Sequence, residues 1–367
     1  KPSVNLRKFA LFSAVSGVVI TSSVYSQELQ IGTGESPLFE GEQLMLNGSY
    51  AAAADTFRMA DGLDRNEGIV GASRALFMMG NSVEAVSIAE QEIEDEDYAS
   101  FPLVSTQLAE VKRSIGHSEE ALAILSTVVD GQLEPPVRTL VQYGSLLEFL
   151  GRKTEAENVL DRAVQRYNNG LVFASEDVAM VALASWLLDN FHDANSLFSE
   201  ATRANPNNLE AQVLWGDLFL EKYNANDAQR SYQEVLDINS RHVPALVGMA
   251  KVGGDERSLT RALAINPNSV LALETYGQLL LINNREEEAQ EYFDRALNLN
   301  PQSLKSLSIL AAQAALNQRQ EEYERLKARA DSFSPDNPEF LGDIADTFGN
   351  NYLFSEAVEF ARAAIDS

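Results

Sequence analysis

The strongest constraint on the fold is a proline that recurs with a fixed period. Pro267, Pro301 and Pro335 are spaced 34 residues apart. Pro206 lies 61 residues before Pro267, which is one period of 34 plus a short unit of 27, and Ser240 holds the proline's place between them. Because proline cannot continue the hydrogen bonds of a helix, each one marks the end of a helix. A chain with such a period folds as a stack of similar units.

Residues inside each unit recur at the same offsets. A small residue is followed 12 residues later by alanine, 16 later by a large side chain and 19 later by another small or β-branched one. Small residues on facing helices let the helices approach closely, and the large side chain fills the groove beside them. The pattern therefore predicts helical hairpins. The sets are Gly277, Ala289, Phe293 and Ala296; Gly216, Ala228, Tyr232 and Val235; Gly144, Ala156, Leu160 and Ala163; Gly41, Ala53, Phe57 and Ala60; and, in register downstream, Ala345, Phe348, Ala357 and Ala364.

This pattern resembles the tetratricopeptide repeat, a 34-residue helical hairpin. The resemblance is strong from 175 to 367, moderate from 137 to 170, and weaker near 34–65, 66–98 and 102–135. It implies an all-α fold, an α-solenoid of about ten repeats, with a non-catalytic role in protein–protein interaction. We expect a degenerate N-terminal array over residues 34–170 and a regular C-terminal array over residues 171–367.

The N-terminal segment has the layout of an export signal. Lys1, Arg7 and Lys8 precede an apolar run over residues 9–25, and small residues stand before Gln27. This layout predicts a cleaved signal peptide over residues 1–26, a linker over 27–33, and a place in the periplasm or envelope of a bacterium. The alternative is an uncleaved anchor, which would make the chain an inner-membrane assembly factor facing the periplasm.

Composition disfavours several functions. The net charge is −26, which repels phosphate backbones, so we expect no nucleic-acid partner and no membrane contact outside residues 9–25. The chain has no cysteine and only three histidines, which are far apart, and it contains no nucleotide-binding or metalloprotease motif. We therefore predict no catalytic residue, metal or cofactor, and a protein or peptide partner with basic flanks.

In the resembling family, the first helix of each hairpin lines a concave groove, and fixed positions on it meet the ligand. Carried over to this chain, those positions predict a groove of aliphatic, aromatic and acidic side chains that suits an extended or amphipathic peptide. The alternative interpretation is that the apolar ones only pack against adjacent hairpins. The candidates are Trp186, Leu187, Asp217, Leu220, Glu221, Glu274, Gln278, Leu281 and Ile282.

The last unit has an apolar stripe with no later helix to cover it: Phe354, Val358, Ala361 and Ile365. A solenoid needs a polar capping face, so the stripe predicts either more chain after Ser367 or an interface, including self-association through the last hairpin. A chain that continues leaves open a second function. In that alternative, this array precedes the catalytic or membrane-barrel domain of a larger envelope protein.

Overall fold

The computed structural model describes residues 36–93 and 97–366, and in these residues it contains helices and no strand. The predicted leader and linker lie outside this part of the chain. A short 3₁₀ helix spans Gly62–Asp64. The α-helices are α1 (Pro37–Leu46), α2 (Tyr50–Phe57), α3 (Arg65–Met78), α4 (Ser82–Glu92), α5 (Pro102–Ser114), α6 (Ser118–Gly131), α7 (Val137–Phe149), α8 (Lys153–Asn168), α9 (Ser175–Leu187), α10 (Phe191–Ala204), α11 (Leu209–Glu221), α12 (Ala225–Ile238), α13 (Val243–Gly253), α14 (Glu256–Ile265), α15 (Val270–Ile282), α16 (Glu286–Leu299), α17 (Leu304–Leu316), α18 (Gln320–Asp331), α19 (Pro338–Asn350) and α20 (Phe354–Asp366).

The twenty helices pair into ten hairpins, numbered 1 to 10, each made of an odd-numbered helix and the even-numbered helix after it. Odd-numbered helices also pack on the odd-numbered helices of adjacent hairpins. This confirms the all-α solenoid of about ten repeats. Buried apolar side chains continue from hairpin to hairpin along the array.

The repeated glycine and aromatic positions pack against each other as the pattern predicts. The Phe57 ring lies so close to Gly41 that a β-carbon there would be 2.5 Å from it. Gly277 faces Phe293 in the same way, at 2.7 Å. The large side chain therefore occupies the space that the absent side chain of glycine leaves open, which allows close helix packing.

Helix ends follow the local sequence signals. Pro267 and Pro301 come directly after Asn266 and Asn300, which end α14 and α16. The side chains of Ser269 and Ser303 then accept hydrogen bonds from the first turn of the next helix. The short unit predicted from the 27-residue spacing is hairpin 7, whose helices have only 11 and 10 residues.

The solenoid is wound so tightly that one superhelical turn touches the next. The turn inside hairpin 1 meets the loop that connects hairpins 6 and 7. The turns inside hairpins 2, 3 and 4 meet the next three connecting loops in the same order, ending with the loop between hairpins 9 and 10. We call this line of contact the seam. It joins residues that are about 185 to 195 positions apart in the chain.

At its first two levels the seam is held mainly by asparagine side chains, and at the first level the Arg241 Nε also donates to the Gly48 carbonyl at 3.0 Å. The amide nitrogen of Asn239 donates to the Met45 carbonyl and to the Tyr50 hydroxyl, both at 3.0 Å. One level on, the amide nitrogens of Asn266 and Asn268 donate to the carbonyls of Phe77 (3.2 Å) and Gly80 (2.9 Å). The asparagines thus bind carbonyls at the ends of inner helices, in addition to the hydrogen bonds that the Gly48 and Gly80 amides donate to Met45 and Phe77 within the turns.

The third and fourth levels combine hydrogen bonds with one aromatic contact. The Ser118 amide donates to the side-chain oxygen of Gln302 at 3.2 Å. The Ser334 hydroxyl donates to the Phe149 carbonyl, and the Phe149 ring stacks on Phe333 with centroids 5.8 Å apart. Each such hydrogen bond contributes about 0.5–1.5 kcal/mol net, whereas each large apolar side chain buried between adjacent hairpins contributes about 1.5–3 kcal/mol. The seam is therefore weaker than the contacts along the array.

Candidate functional site

The odd-numbered helices line the concave side of the superhelix, and their side chains reach one another across it. Arg138 on α7 forms a two-pronged salt bridge with Glu210 on α11, one prong at 2.9 Å, although α9 lies between these helices. Such a bond is possible only where the inner surface curves sharply. We call the space inside this curve the inner channel.

The Arg138–Glu210 pair is surrounded by protein but still reaches water. The two side chains keep 20% and 43% of their surface accessible. Burial works to raise the pKa of Glu210, but the charge and hydrogen bonds of Arg138 outweigh it and hold that pKa at about 2. The pair is therefore crowded by protein on the inner side of the superhelix and still within reach of solvent.

Charges from hairpins far apart in the chain also influence each other across this channel. Arg74 on α3 acts on Glu210, and Glu176 on α9 acts on Glu42 of α1. Burial raises the pKa of Glu42, and Arg74 opposes the rise while Glu176 adds to it. These distant hairpins therefore share one electrostatic environment.

Negative charge exceeds positive charge around Arg113, further along the channel. Burial lowers the pKa of the Arg113 guanidinium, against the pull of Glu110, Glu339 and Glu148. Burial also raises the pKa of Glu148, with Asp189 and Glu339 adding to the rise. Lys153 and Lys305 also act on Glu148 and Glu339, but the carboxylates still outnumber the cations, so a further positive charge would stabilise the arrangement.

A cavity of about 410 Å³ opens between hairpins 4 and 5 beside Glu148. Its carboxylates are Glu148, Glu157, Asp161 and Asp189, against the single cation Lys153, and its apolar side chains include Leu187 and Leu188. Aliphatic and acidic groups together suit the stem and head of a lysine or arginine side chain. A wider depression of about 740 Å³ at residues 318–325 has only polar and charged side chains.

Two predicted groove residues contact each other, and a third lines the cavity. The Trp186 ring nitrogen donates to the Glu221 carboxylate at 2.8 Å, joining α9 to α11. Leu187 lies in the acidic cavity. Asp217 accepts a hydrogen bond from the Tyr232 hydroxyl at 2.6 Å, so it links the two helices of hairpin 6. Burial raises the pKa of Asp217.

The other groove candidates are spread along the array. Glu274 is buried and accepts a hydrogen bond from the Ser306 hydroxyl at 2.9 Å, which ties hairpin 8 to hairpin 9. Leu220 and Leu281 are half-buried against apolar clusters. Gln278 is half-buried, and Ile282 is exposed at the end of α15. Their role as ligand contacts stays a prediction.

The predicted terminal stripe lies on α20. Phe354, Val358 and Ile365 are exposed, with Ile365 keeping 83% of its surface accessible, whereas Ala361 is half-buried. Phe360 from the same helix turns inward and packs on Phe348, with ring centroids 5.4 Å apart. The stripe's role as an interface stays a prediction.

Sequence reasoning missed the charge network of the channel. Arg138 stands out as a cation at a ligand-contacting position, but its partner lies 72 residues away. Lys305, at the equivalent position five hairpins later, pairs with Asp343 on the next inner helix. His242 begins α13, where its Nδ1 accepts the Ala245 amide hydrogen at 3.4 Å. The partners of the two ion pairs are 72 and 38 positions apart in the sequence, so no local sequence pattern reveals them.

Within the described residues, no group of three or more histidine or acidic side chains could hold a metal ion. In the same part of the chain, no helix has the length and apolar character to cross a membrane.

Comparison with known proteins identifies the repeat. Family models described as "Tetratricopeptide repeat" match residues 137–169 and 258–291. The chain is similar to the crystal structure of the Cut9–Hcn1 hetero-tetramer of APC/C, with a TM-score of 0.55 and 14% identity, over 89% of this chain and 66% of that one. It thus spans about two thirds of that chain.

Two bacterial repeat structures match less well. One is a thermophilic repeat protein of Thermus thermophilus, with a TM-score of 0.43 and 17% identity over 48% of this chain and 99% of that one. The other, from Parabacteroides merdae, has a TM-score of 0.39 and 15% identity over 82% and 98%. No curated protein matches the chain in sequence at a significant level.

Arrays of these repeats serve in general as scaffolds that bind proteins or peptides, and the fold is typically non-catalytic. The two matched segments, the ten hairpins and the likeness in fold lead to one conclusion. The chain contains tetratricopeptide repeats and folds as the solenoid of hairpins that such repeats build.

Proposed function

We propose that this protein is an interaction scaffold whose inner channel binds an extended peptide segment rich in lysine or arginine. The observation that supports it is the excess of carboxylates around Arg113 and in the adjoining cavity. Burial raises the pKa of both Glu148 and Glu339, so each carboxylate ionises at a cost to the folded protein. A cationic side chain placed among them would remove that cost and replace the lost water.

The shape of the site fits the same ligand. The cavity beside Glu148 has room for one long side chain, with Leu187 and Leu188 against its stem. Trp186 and Glu221 lie on neighbouring inner helices and provide an aromatic face with a carboxylate beside it. A guanidinium or ammonium group can use both, through a cation–π contact and a salt bridge.

A labelled peptide of alternating lysine and serine tests the proposal by fluorescence anisotropy. We expect the wild-type chain to bind it, and we expect Glu148→Gln with Asp189→Asn to weaken binding about tenfold, because each rim charge contributes about 0.5–1 kcal/mol. Asparagine is suited to position 189 because the backbone there has a φ of 59°, a conformation that asparagine tolerates. Binding should also weaken as salt is added.

The matched control is Glu287→Gln with Glu291→Gln, which removes two negative charges from the exposed surface of α16. If this control weakens binding as much as the channel variant, net charge alone attracts the peptide and the proposed site is wrong.

We also propose that the scaffold works in the bacterial envelope, either in the periplasm or tethered to the inner membrane. The basic and then apolar run over residues 1–25 and the lack of cysteine support export. N-terminal sequencing of the protein from cell fractions tests this: a mature chain that begins at Gln27 supports cleavage, and a cytoplasmic chain with residues 1–26 intact contradicts export.

A further inference from the structure

The turns inside the hairpins differ in a way that follows the seam. In these turns the chain passes through a left-handed conformation, and the residues at that point fall into two groups. Hairpins 1 to 4, whose turns the seam covers, have glycine there: Gly48, Gly80, Gly116 and Gly151. Five of the other hairpins have a residue with a side chain: Asp189, Tyr223, Asn284, Gln318 and Tyr352. The short hairpin 7 has Gly254.

Backbone geometry accounts for the glycines of the covered turns in part. Their φ values lie between 75° and 85°, whereas the residues with side chains at the same point of the other hairpins have φ values of 57° to 63°. The space above the covered turns is also restricted. A β-carbon on Gly80 would lie 2.3 Å from the side-chain oxygen of Asn266, and one on Gly116 would lie 2.7 Å from that of Asn300. Gly48, Gly80 and Gly116 thus make room for the second superhelical turn, whereas a β-carbon on Gly151 would meet only the Pro335 carbonyl at 3.8 Å, an ordinary contact.

The seam is held together differently from the boundaries between adjacent hairpins. It is made mainly of side-chain hydrogen bonds to main-chain groups, with one aromatic stack between Phe149 and Phe333. Adjacent hairpins, by contrast, share continuous apolar clusters. Segments with few buried apolar contacts are those that separate first while the rest stays folded.

Opening the seam would change access to the inner channel. Arg74 and Glu42 come from the first superhelical turn, and the groups they act on, Glu210 and Glu176, come from later hairpins. With the seam closed, the contacts between the turns of hairpins 1 to 4 and the later loops obstruct this side of the channel. With it open, the middle of a longer chain can enter from the side.

From this geometry we propose that the seam is a reversible clasp, and that an extended ligand enters the inner channel when the clasp opens. The entry step rests on the channel being the binding site proposed above. The clasp itself is independent of any ligand.

Small-angle scattering tests the clasp without a ligand. Gly80→Gln places a side chain where Asn266 lies, and Gly170→Gln is the control, because Gly170 has a similar φ of 70° but no atom within 4 Å. We expect the first variant to increase the maximum dimension by about 10 Å, the width of one helix, with unchanged helical circular dichroism. The control should match the wild type. Equal dimensions for all three proteins, or an equal increase in both variants, would overturn the clasp.

A reducible lock tests the entry step. The chain has no cysteine of its own, and a β-carbon on Gly80 would lie 3.2 Å from that of Asn268, close to the disulfide range. Gly80→Cys with Asn268→Cys, together with Asn266→Ala to remove the side-chain oxygen that would meet the new β-carbon at 2.3 Å, can therefore be compared oxidised and reduced, with the same backbone strain in both forms. The probes are the lysine–serine peptide with free ends and the same peptide held between two folded domains, which cannot thread through the ends.

We expect the reduced form to bind the doubly held probe and the oxidised form to bind it at least tenfold more slowly, while the free peptide binds both. Equal association rates of the doubly held probe with the two forms would overturn side entry and leave the proposed binding site intact. If the free peptide binds no form, the proposed binding site and the entry step fail together, and the scattering result alone decides whether the clasp exists.

Discussion

We expect the replacement of Tyr232 with alanine to lower the free energy of unfolding by about 4 kcal/mol, because the ring fills a gap that nothing else can close. The ring is completely buried between two glycines. A β-carbon on Gly216 would lie 2.6 Å from it, and one on Gly248 would lie 2.4 Å from it. The hydroxyl also donates to Asp217, whose carboxylate would lose its partner. Urea unfolding followed by circular dichroism measures the change.

The effect of Gly248→Ala on the free energy of unfolding should have opposite signs in the wild type and in the Tyr232→Ala protein. In the wild type the added methyl group overlaps the ring and should cost about 1–3 kcal/mol. In the Tyr232→Ala protein the same methyl group enters the cavity and favours the helix, so it should add up to about 1 kcal/mol. Gly342→Ala, at a helical glycine with no atom within 4 Å, is the control and should stabilise both proteins slightly. The same sign for Gly248→Ala in both backgrounds would contradict this packing.

We expect the second large effect at His242, as a loss of stability when the pH falls from about 6.5 to 4. Burial lowers the pKa of His242 to about 4, and the Glu210 carboxylate opposes the shift only in part. In this pH window the unfolded chain binds a proton on His242 and the folded chain does not, so protonation favours unfolding. The loss should approach about 3 kcal/mol below pH 4, since one pKa unit corresponds to about 1.4 kcal/mol.

His242→Asn should remove this dependence and keep the start of α13, because asparagine is a good first capping residue. The measurement is the difference in unfolding free energy between variant and wild type at pH 7.5, 5.5 and 4.5. His192→Asn, at a more exposed position, is the control. A difference that stays constant across the three pH values for His242→Asn would show that the histidine is not buried uncharged.

Glu210 should act in a separate pH window. Its pKa is about 2 in the folded chain, below the ordinary value of 4.5, so its salt bridge with Arg138 stabilises the fold above about pH 4.5. That contribution is lost as the pH falls toward 2. The pH range in which Glu210 titrates overlaps little with that of His242, so the loss of stability between pH 6.5 and 4.5 reports on His242.

Much of the fold could be predicted because a repeat array is held together by neighbours. Pro267 and Pro301 correctly located the ends of outer helices, whereas α18 ends at Asp331, four residues before Pro335. The 27-residue interval correctly predicted the short hairpin 7. The Gly41–Phe57 and Gly277–Phe293 contacts follow from offsets inside one unit. Each of these features depends on residues within about one repeat of each other, so a local pattern is enough to reveal them.

The candidate site could be predicted only in part. The carried-over positions brought together Trp186 and Glu221 and included Leu187 of the cavity. They also included Glu274, which the structure places between hairpins 8 and 9. Position in a repeat says which helix face a residue occupies. It does not say whether the next hairpin covers that face, because this depends on the side chains of the neighbour.

The sequence by itself determined the hairpins, their number and their order, because each hairpin buries its apolar face against the next. Only the tertiary structure decided that the superhelix closes on itself at the seam and that Arg138 meets Glu210. The physical reason is that the small rotation between hairpins adds up along the array, so its sum cannot be read from any single repeat. Contacts such as Asn266 with Phe77 join residues 189 positions apart and exist only because that sum brings one turn onto another.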